Sequence, residues 1–226
     1  MIPAAVGQQW VIAEDAASFF FPKGTKWTTL TEVRLKDNFD KSAGNIDIVL
    51  VSYDDRGNVT GFGALEVQAV YISGNVRNPF EFYMEDPKAN QNMDWTGRPN
   101  YPHADYLSSS RKRLAPQLIF KGGIFKAWEK KTAVALNSGF FNTLPELEEV
   151  PKDEADVAWL VYDLVKDQNT YTLTNVREVY TKFHESLEKI TRSVPGDVQN
   201  FVDMLQEKVN NKLDTPPDTE TIDATF

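Results

Sequence analysis

The spacing of apolar and polar residues divides this chain into strand-like segments first and a mixture of strands and helices later. Residues 27–35 are β-branched and apolar, a strand or the end of a helix, and lead into the polar loop KDNFDKSAGN. Residues 46–53, IDIVLVSY, form an apolar run of strand length; DDRGN reads as a turn and residues 62–72 as the returning strand, which together predict a hairpin. Residues 74–106 are rich in Asn, Pro, aromatic and charged side chains and read as a long, structured connection. A basic helical region is expected over residues 107–136, interrupted at Pro116 and at Gly122-Gly123. A second strand pair is expected at 157–165 and 170–174 around the turn DQN, with helical periodicity at 176–190 and 198–213. The final DTPPDTETIDATF has prolines, acids and little apolar content, so the expected organisation is one catalytic domain over 1–213 and an acidic, disordered tail over 214–226.

Composition narrows the chemistry. With 226 residues, 41% hydrophobic, the chain can bury one good core. It has no apolar run approaching the roughly 18 residues of a membrane span, and MIPAAVGQQW does not look like a secretory leader, so a soluble, cytoplasmic protein without membrane association is expected. The absence of cysteine excludes disulfide-linked partners and thiolate metal sites, and two histidines, His103 and His184, leave little material for zinc. Any metal must be held mainly by oxygen. The net charge of −9 argues against phosphate binding, but residues 107–131 carry seven bases against Glu129 alone, whereas residues 146–156 carry six acids and one lysine. Acidity is thus segregated from a candidate nucleic-acid face.

Asp47 enters one strand of the predicted hairpin, and Glu66 and Gln68 lie two apart on the other, so the last two share a face. Carboxylates beside such apolar strands need a compensating cation, for which magnesium with oxygen ligands is suited. Asp47, one oxygen of Glu66 and the backbone carbonyl of Val67 are the expected ligands. Gln68 is the expected orienter of a water, and Glu32 is able to bind or orient a second ion. The same spacing also occurs on ordinary solvated hairpins. Neither histidine has a partner motif: His184 reads as part of a helical pattern and His103 remains unassigned. Trp95, Trp128 and Trp159 are expected in the core.

The stretch TEVRLKDNFDKSAGNIDIVLVSYDDRGNVTGFGALEVQAVYISGN resembles the catalytic core of the NotI family of type II restriction endonucleases, within the PD-(D/E)XK superfamily. That pattern places an aspartate on one hairpin strand and (D/E)-x-K on the next. The NotI group is similar to this chain in having glutamine in place of the lysine, and in a glutamate upstream of the aspartate. The resemblance implies catalytic roles for Glu32, Asp47, Glu66 and Gln68, and an α/β PD-(D/E)XK restriction-endonuclease-like core with a mixed central β-sheet flanked by helices. It further implies a prokaryotic homodimer that uses Mg2+, with Mn2+ able to substitute, to cut double-stranded DNA at a palindromic, GC-rich site. With no cysteine, the cysteine-ligated module of the best-known member is absent, and little room is expected for an N-terminal recognition domain.

Lys36 and Lys41, beside the proposed metal site, are candidates for phosphate contact or simple loop lysines. Arg77 and Arg98 are candidates to read guanine bidentately, and Arg111, Lys112 and Arg113 either contact the DNA backbone or form a charged helix face. Two other functions fit the same residues: a catalytically silent DNA-binding module on a nuclease scaffold, and a structure-specific repair or nicking nuclease. An acidic interaction domain is a further alternative, suggested by bulk charge alone.

Overall fold

The computed structural model describes residues 9–96, 98–167 and 170–214. It divides the chain into two units, Met1–Thr191 and Arg192–Phe226. The expected disordered tail lies, apart from Asp214, outside the described residues. So do the residues that turn the second strand pair.

The first unit is built on a six-stranded mixed sheet in the order β1-β2-β3-β6-β7-β8. Strands β1 (Trp27–Lys36), β2 (Ser42–Tyr53) and β3 (Val59–Val67) form an antiparallel meander; β6 (Thr132–Asn137) and β7 (Val157–Asp167) add in parallel, and β8 (Thr170–Thr181) closes antiparallel to β7. The predicted hairpin is present but ends early. At Gln68 the backbone N–H donates to the Ala135 carbonyl, and Tyr71–Ser73 (β4) leaves to pair with His103–Asp105 (β5) in a separate two-stranded sheet. The long connection between them carries helix α2 (Arg77–Glu85).

Two further expectations change. Residues 106–127 form one continuous helical run, α3, with π-helical turns at Ser110–Leu114 and Leu118–Gly122, and neither Pro116 nor Gly122-Gly123 breaks it. Widened turns re-route the backbone bonds around a residue that lacks an N–H, so a proline is accommodated there. The helix stops at Ala127, and residues 132–136, also expected to be helical, belong to strand β6. Likewise residues 176–181 continue β8, and the helix expected from Val176 is confined to α5 (Phe183–Thr191), after the short α4 (Ser138–Phe141). Pairing with the buried first half of β7, residues 157–162, overrides a weak helical pattern, because Val179 and Thr181 then reach the core.

Both faces of the sheet are covered. Helix α1 (Gln9–Phe20) lays Ala13, Ala16, Ala17 and Phe19 on one face, where Gly63 is necessary: a Cβ there would stand 2.6 Å from the Phe20 ring. On the other face, Leu114 and Leu118 of α3 pack with Val134, Trp159, Val179 and Phe183. Phe125 packs with Leu35, Ile46, Val49 and Val51. Trp159 is in the core as expected, whereas Trp128 is 48% exposed beside Phe62 and Phe125, and Trp95 is half-buried.

In the second unit, α6 (Val198–Asp214) fulfils the expected helix, and its described residues are exposed. No helix among the described residues is long and apolar enough to cross a membrane.

Candidate active site

Asp47, midway along β2, comes together with Glu66 and Gln68 where β3 ends. The β2–β3 register pairs Ile48 with Leu65, so the next step along the ladder sets Asp47 opposite Glu66. Asp47 is half-buried and its Oδ2 accepts from the Val67 N–H at 2.9 Å, tying the aspartate to the backbone of the other strand. The Val67 side chain is exposed, as strand alternation requires. Glu66 is only 4% exposed and Gln68 is 5% exposed, both facing α3.

Two residues of α3 complete the constellation. Lys121, itself buried, places Nζ 2.5 Å from Glu66 Oε2 and 2.7 Å from the Asn45 carbonyl. Gln117 accepts a hydrogen bond from Gln68 Nε2. Burial pushes the Glu66 carboxyl up to about 7, overcoming the Lys121 ammonium, which pulls it down; the Asp47 carboxylate adds to the upward push. Glu66 Oε1 and Gln68 Oε1 are the two buried side-chain oxygens among the described residues without a hydrogen-bond partner. A cavity of about 10 Å3, the size of a single water, is lined by these residues together with Gln117, Lys121, Leu114 and Val134. Unpartnered buried acceptors are costly in a folded protein, and both of these residues line the same cavity.

Glu32 sits on β1, between residues that pair with Ile48 and Ile46, and so lies across from Asp47. Its φ of +53° is unusual in mid-strand for a side chain other than glycine. Trp27, before this kink, packs toward α1, while Val33 and Leu35, after it, pack with Phe125 on the other face. Glu32 is exposed, and its Oε2 accepts from Asn45 Nδ2 at 3.3 Å. Asn45 thus touches both Glu32 and Lys121. No cluster of three His, Asp or Glu side chains gathers as a ready-made metal cage among the described residues. The oxygen donors are a carboxylate pair, Asp47 and Glu66, with Glu32 in the adjacent strand.

The basic candidates are dispersed. Lys36 is exposed and pairs with Asp40 at 2.6 Å; Lys41, also exposed, closes the same loop through its backbone N–H to Asp37. Arg77 opens α2 and pairs with Glu81 at 2.7 Å, and Arg98 stacks 4.0 Å over the Phe82 ring. Arg111 and Lys112 are exposed on α3, and the half-buried Arg113 lies 5.8 Å over Tyr71. The seven bases of residues 107–131 are therefore not one surface: Lys121 points inward and Lys126 holds both oxygens of Asp156 at 2.9 Å. His103 and His184 are both exposed, and His184 stands edge-on to Phe183.

Sequence reasoning missed Lys121 and Gln117. The signal was available: Leu114, Leu118, Lys121 and Phe125 follow the i, i+4, i+7, i+11 spacing of a buried helix stripe, with lysine in an apolar position. Comparison with curated proteins yields no match. The family model described as Restriction endonuclease NotI matches residues 1–175.

Proposed function

From this chain's membership in the NotI restriction endonuclease family, which its match over residues 1–175 establishes, we propose that the protein is a divalent-metal-dependent, site-specific DNA endonuclease of type II. The observation that carries the reading is the unpartnered Glu66 Oε1, buried beside Asp47 where a cation would offset it. The setting of Asp47 across from Glu66, with Gln68 just past the end of β3, supports a PD-(D/E)XK arrangement with glutamine at the last position.

Asp47, Glu66 and the Val67 carbonyl would hold the ion, Mg2+ with Mn2+ able to substitute, and Glu32 would support it from β1. When bound, that ion supplies charge neutralisation for the scissile phosphate and acidity for the attacking water. The rest falls to the protein. Gln68, fixed through Nε2 by Gln117, presents a free Oε1 that accepts a hydrogen from water and so aims its oxygen at phosphorus. The water oxygen bonds to phosphorus and releases one proton to solvent, one P–O ester bond breaks, and the departing alkoxide takes a proton from solvent. A carboxamide is no general base, so Gln68 orients and does not deprotonate. Family resemblance supports a homodimer acting on a palindromic, GC-rich duplex, and exposed Arg111 and Lys112 suit phosphate contact, with Lys36, Lys41, Arg77 and Arg98 as further DNA contacts.

Purified protein incubated with unmethylated GC-rich genomic DNA should give discrete fragments with Mg2+ and none with EDTA. Asp47→Ala and Glu66→Ala should lower cleavage by about a thousandfold or more while leaving DNA binding nearly unchanged. Random degradation would favour the structure-specific nuclease, and wild-type binding without cleavage the silent module.

A further inference from the structure

We infer that Lys121 is the positioning cation of this site: it grips Glu66 through Oε2 so that Oε1 faces the divalent ion, the charged role that the Gln68 carboxamide has no means to fill. The inference rests on the nuclease reading above. Its basis is geometric. The ammonium bridges two strands, with the Asn45 carbonyl of β2 on one side and Glu66 of β3 on the other. Each strand contributes one residue to the proposed ligand pair, Asp47 two positions from Asn45 and Glu66 itself. A lysine at this place therefore fixes the separation of the two carboxylates as well as the rotamer of one.

The two oxygens of Glu66 are differentiated by this contact, Oε2 taken and Oε1 unpartnered and buried. Carboxylates that hold metals are usually oriented by a hydrogen bond on the other oxygen, and Lys121 is in position to supply it. Two of the three Nζ hydrogens are committed, which leaves one for an oxygen within the site. The helix is held in turn. Gly122 lies so close to Phe183 that a Cβ would meet its ring at 2.7 Å, fixing the rotation at which Lys121 enters. A lysine 7% exposed among Leu114, Leu118 and Phe125 is expensive to bury for packing alone.

The absence of cysteine provides a clean test. Lys121→Cys introduces a single thiol, which is alkylated in denaturant with bromoethylamine to restore an ammonium, or with iodoacetamide to give a neutral side chain, before refolding. Ca2+ binding by calorimetry and single-turnover cleavage in Mg2+ are measured on both adducts, on Lys121→Met and on wild type. The neutral forms should bind Ca2+ about tenfold more weakly and cleave about a hundredfold more slowly, and the aminoethyl adduct should recover both. Equal impairment of the two adducts would show that Lys121 only fills space. Normal Ca2+ affinity in the neutral forms, with or without slow cleavage, would also overturn the inference while leaving the nuclease reading intact. A wild type that neither binds Ca2+ nor cuts would overturn both together.

Discussion

One row of the central sheet contains two different solutions to the same burial problem. From β3 outward in one direction the ladder aligns Glu66 with Val134, Val134 with Trp159, and Trp159 with Val179. In the other direction Glu66 faces Asp47 and then Glu32. The apolar half is sealed: Val134 and Val179 are 1% exposed and Trp159 is fully buried, its indole N–H donating to Thr181 Oγ1 at 3.0 Å. Glu66 is nearly as buried but retains an oxygen without a partner. The difference teaches where the fold keeps its stability and where it has given some up. The buried apolar residues of β6–β8 and helix α5 anchor a sheet whose meander carries carboxylates that only a ligand can fully satisfy.

That contrast can be broken most forcefully from the apolar side. Trp159→Ala should destabilise the protein by about 3–5 kcal/mol, measured by urea unfolding, because it opens a large cavity and removes one of the hydrogen bonds to the Thr181 hydroxyl, leaving the one from Ser186. A loss below about 1 kcal/mol would mean that the sheet does not depend on this half. The acidic side should respond with the opposite sign. The folded protein binds the Glu66 proton more tightly than the unfolded chain does, so its contribution is fully present below pH 4.5 and is lost as pH rises through about 7. Glu66→Gln abolishes this ionisation. The metal-free variant should therefore be more stable than wild type by about 3 kcal/mol at pH 8, and no more stable at pH 4, by the same urea measurement. Equal stability at both values would show that burial does not strain this carboxyl.

The smallest effect sharpens the comparison. Lys126 and Asp156 form an ion pair on the apolar side, but one with partial solvent access, and Asp156 also accepts from the Phe183 N–H at 3.1 Å. Lys126→Met should cost only about 1 kcal/mol, since solvent screens such a pair. A cost of several kcal/mol would erase the distinction between this pair and the buried Lys121–Glu66 contact.

The parts of this molecule legible in its sequence are those written in contiguous residues. The hairpin and the Asp47–Glu66 pair follow from two apolar runs around a short turn, and strand alternation brings Glu66 and Gln68 onto one face. The point where β3 ends was not legible, because Gln68 gives its N–H to Ala135, a residue of a strand whose position in the sheet no local pattern declares. Residues 176–181 were misread for a related reason: Val176, Val179 and Phe183 suit a helix face, and only the ladder to β7 makes Val179 and Thr181 strand residues. Lys121 was hidden by its company. Among seven bases in residues 107–131 it reads as part of a solvated charge run, although its spacing from Leu114 and Leu118 marks a buried stripe.

The two π-helical turns of α3 make the active site sensitive to the length of the chain as much as to its composition. Each turn holds more residues than an α-turn, and the second, Leu118–Gly122, includes Lys121 itself. A π-turn is an α-turn with a residue more, so removing one residue between Gln117 and Lys121 would let it close to an α-turn and leave the Phe125 anchor in its cluster. Lys121, inside the turn, would be displaced relative to Glu66 with every side chain of the site still encoded. Chain length within this one turn thus sets where the ammonium stands.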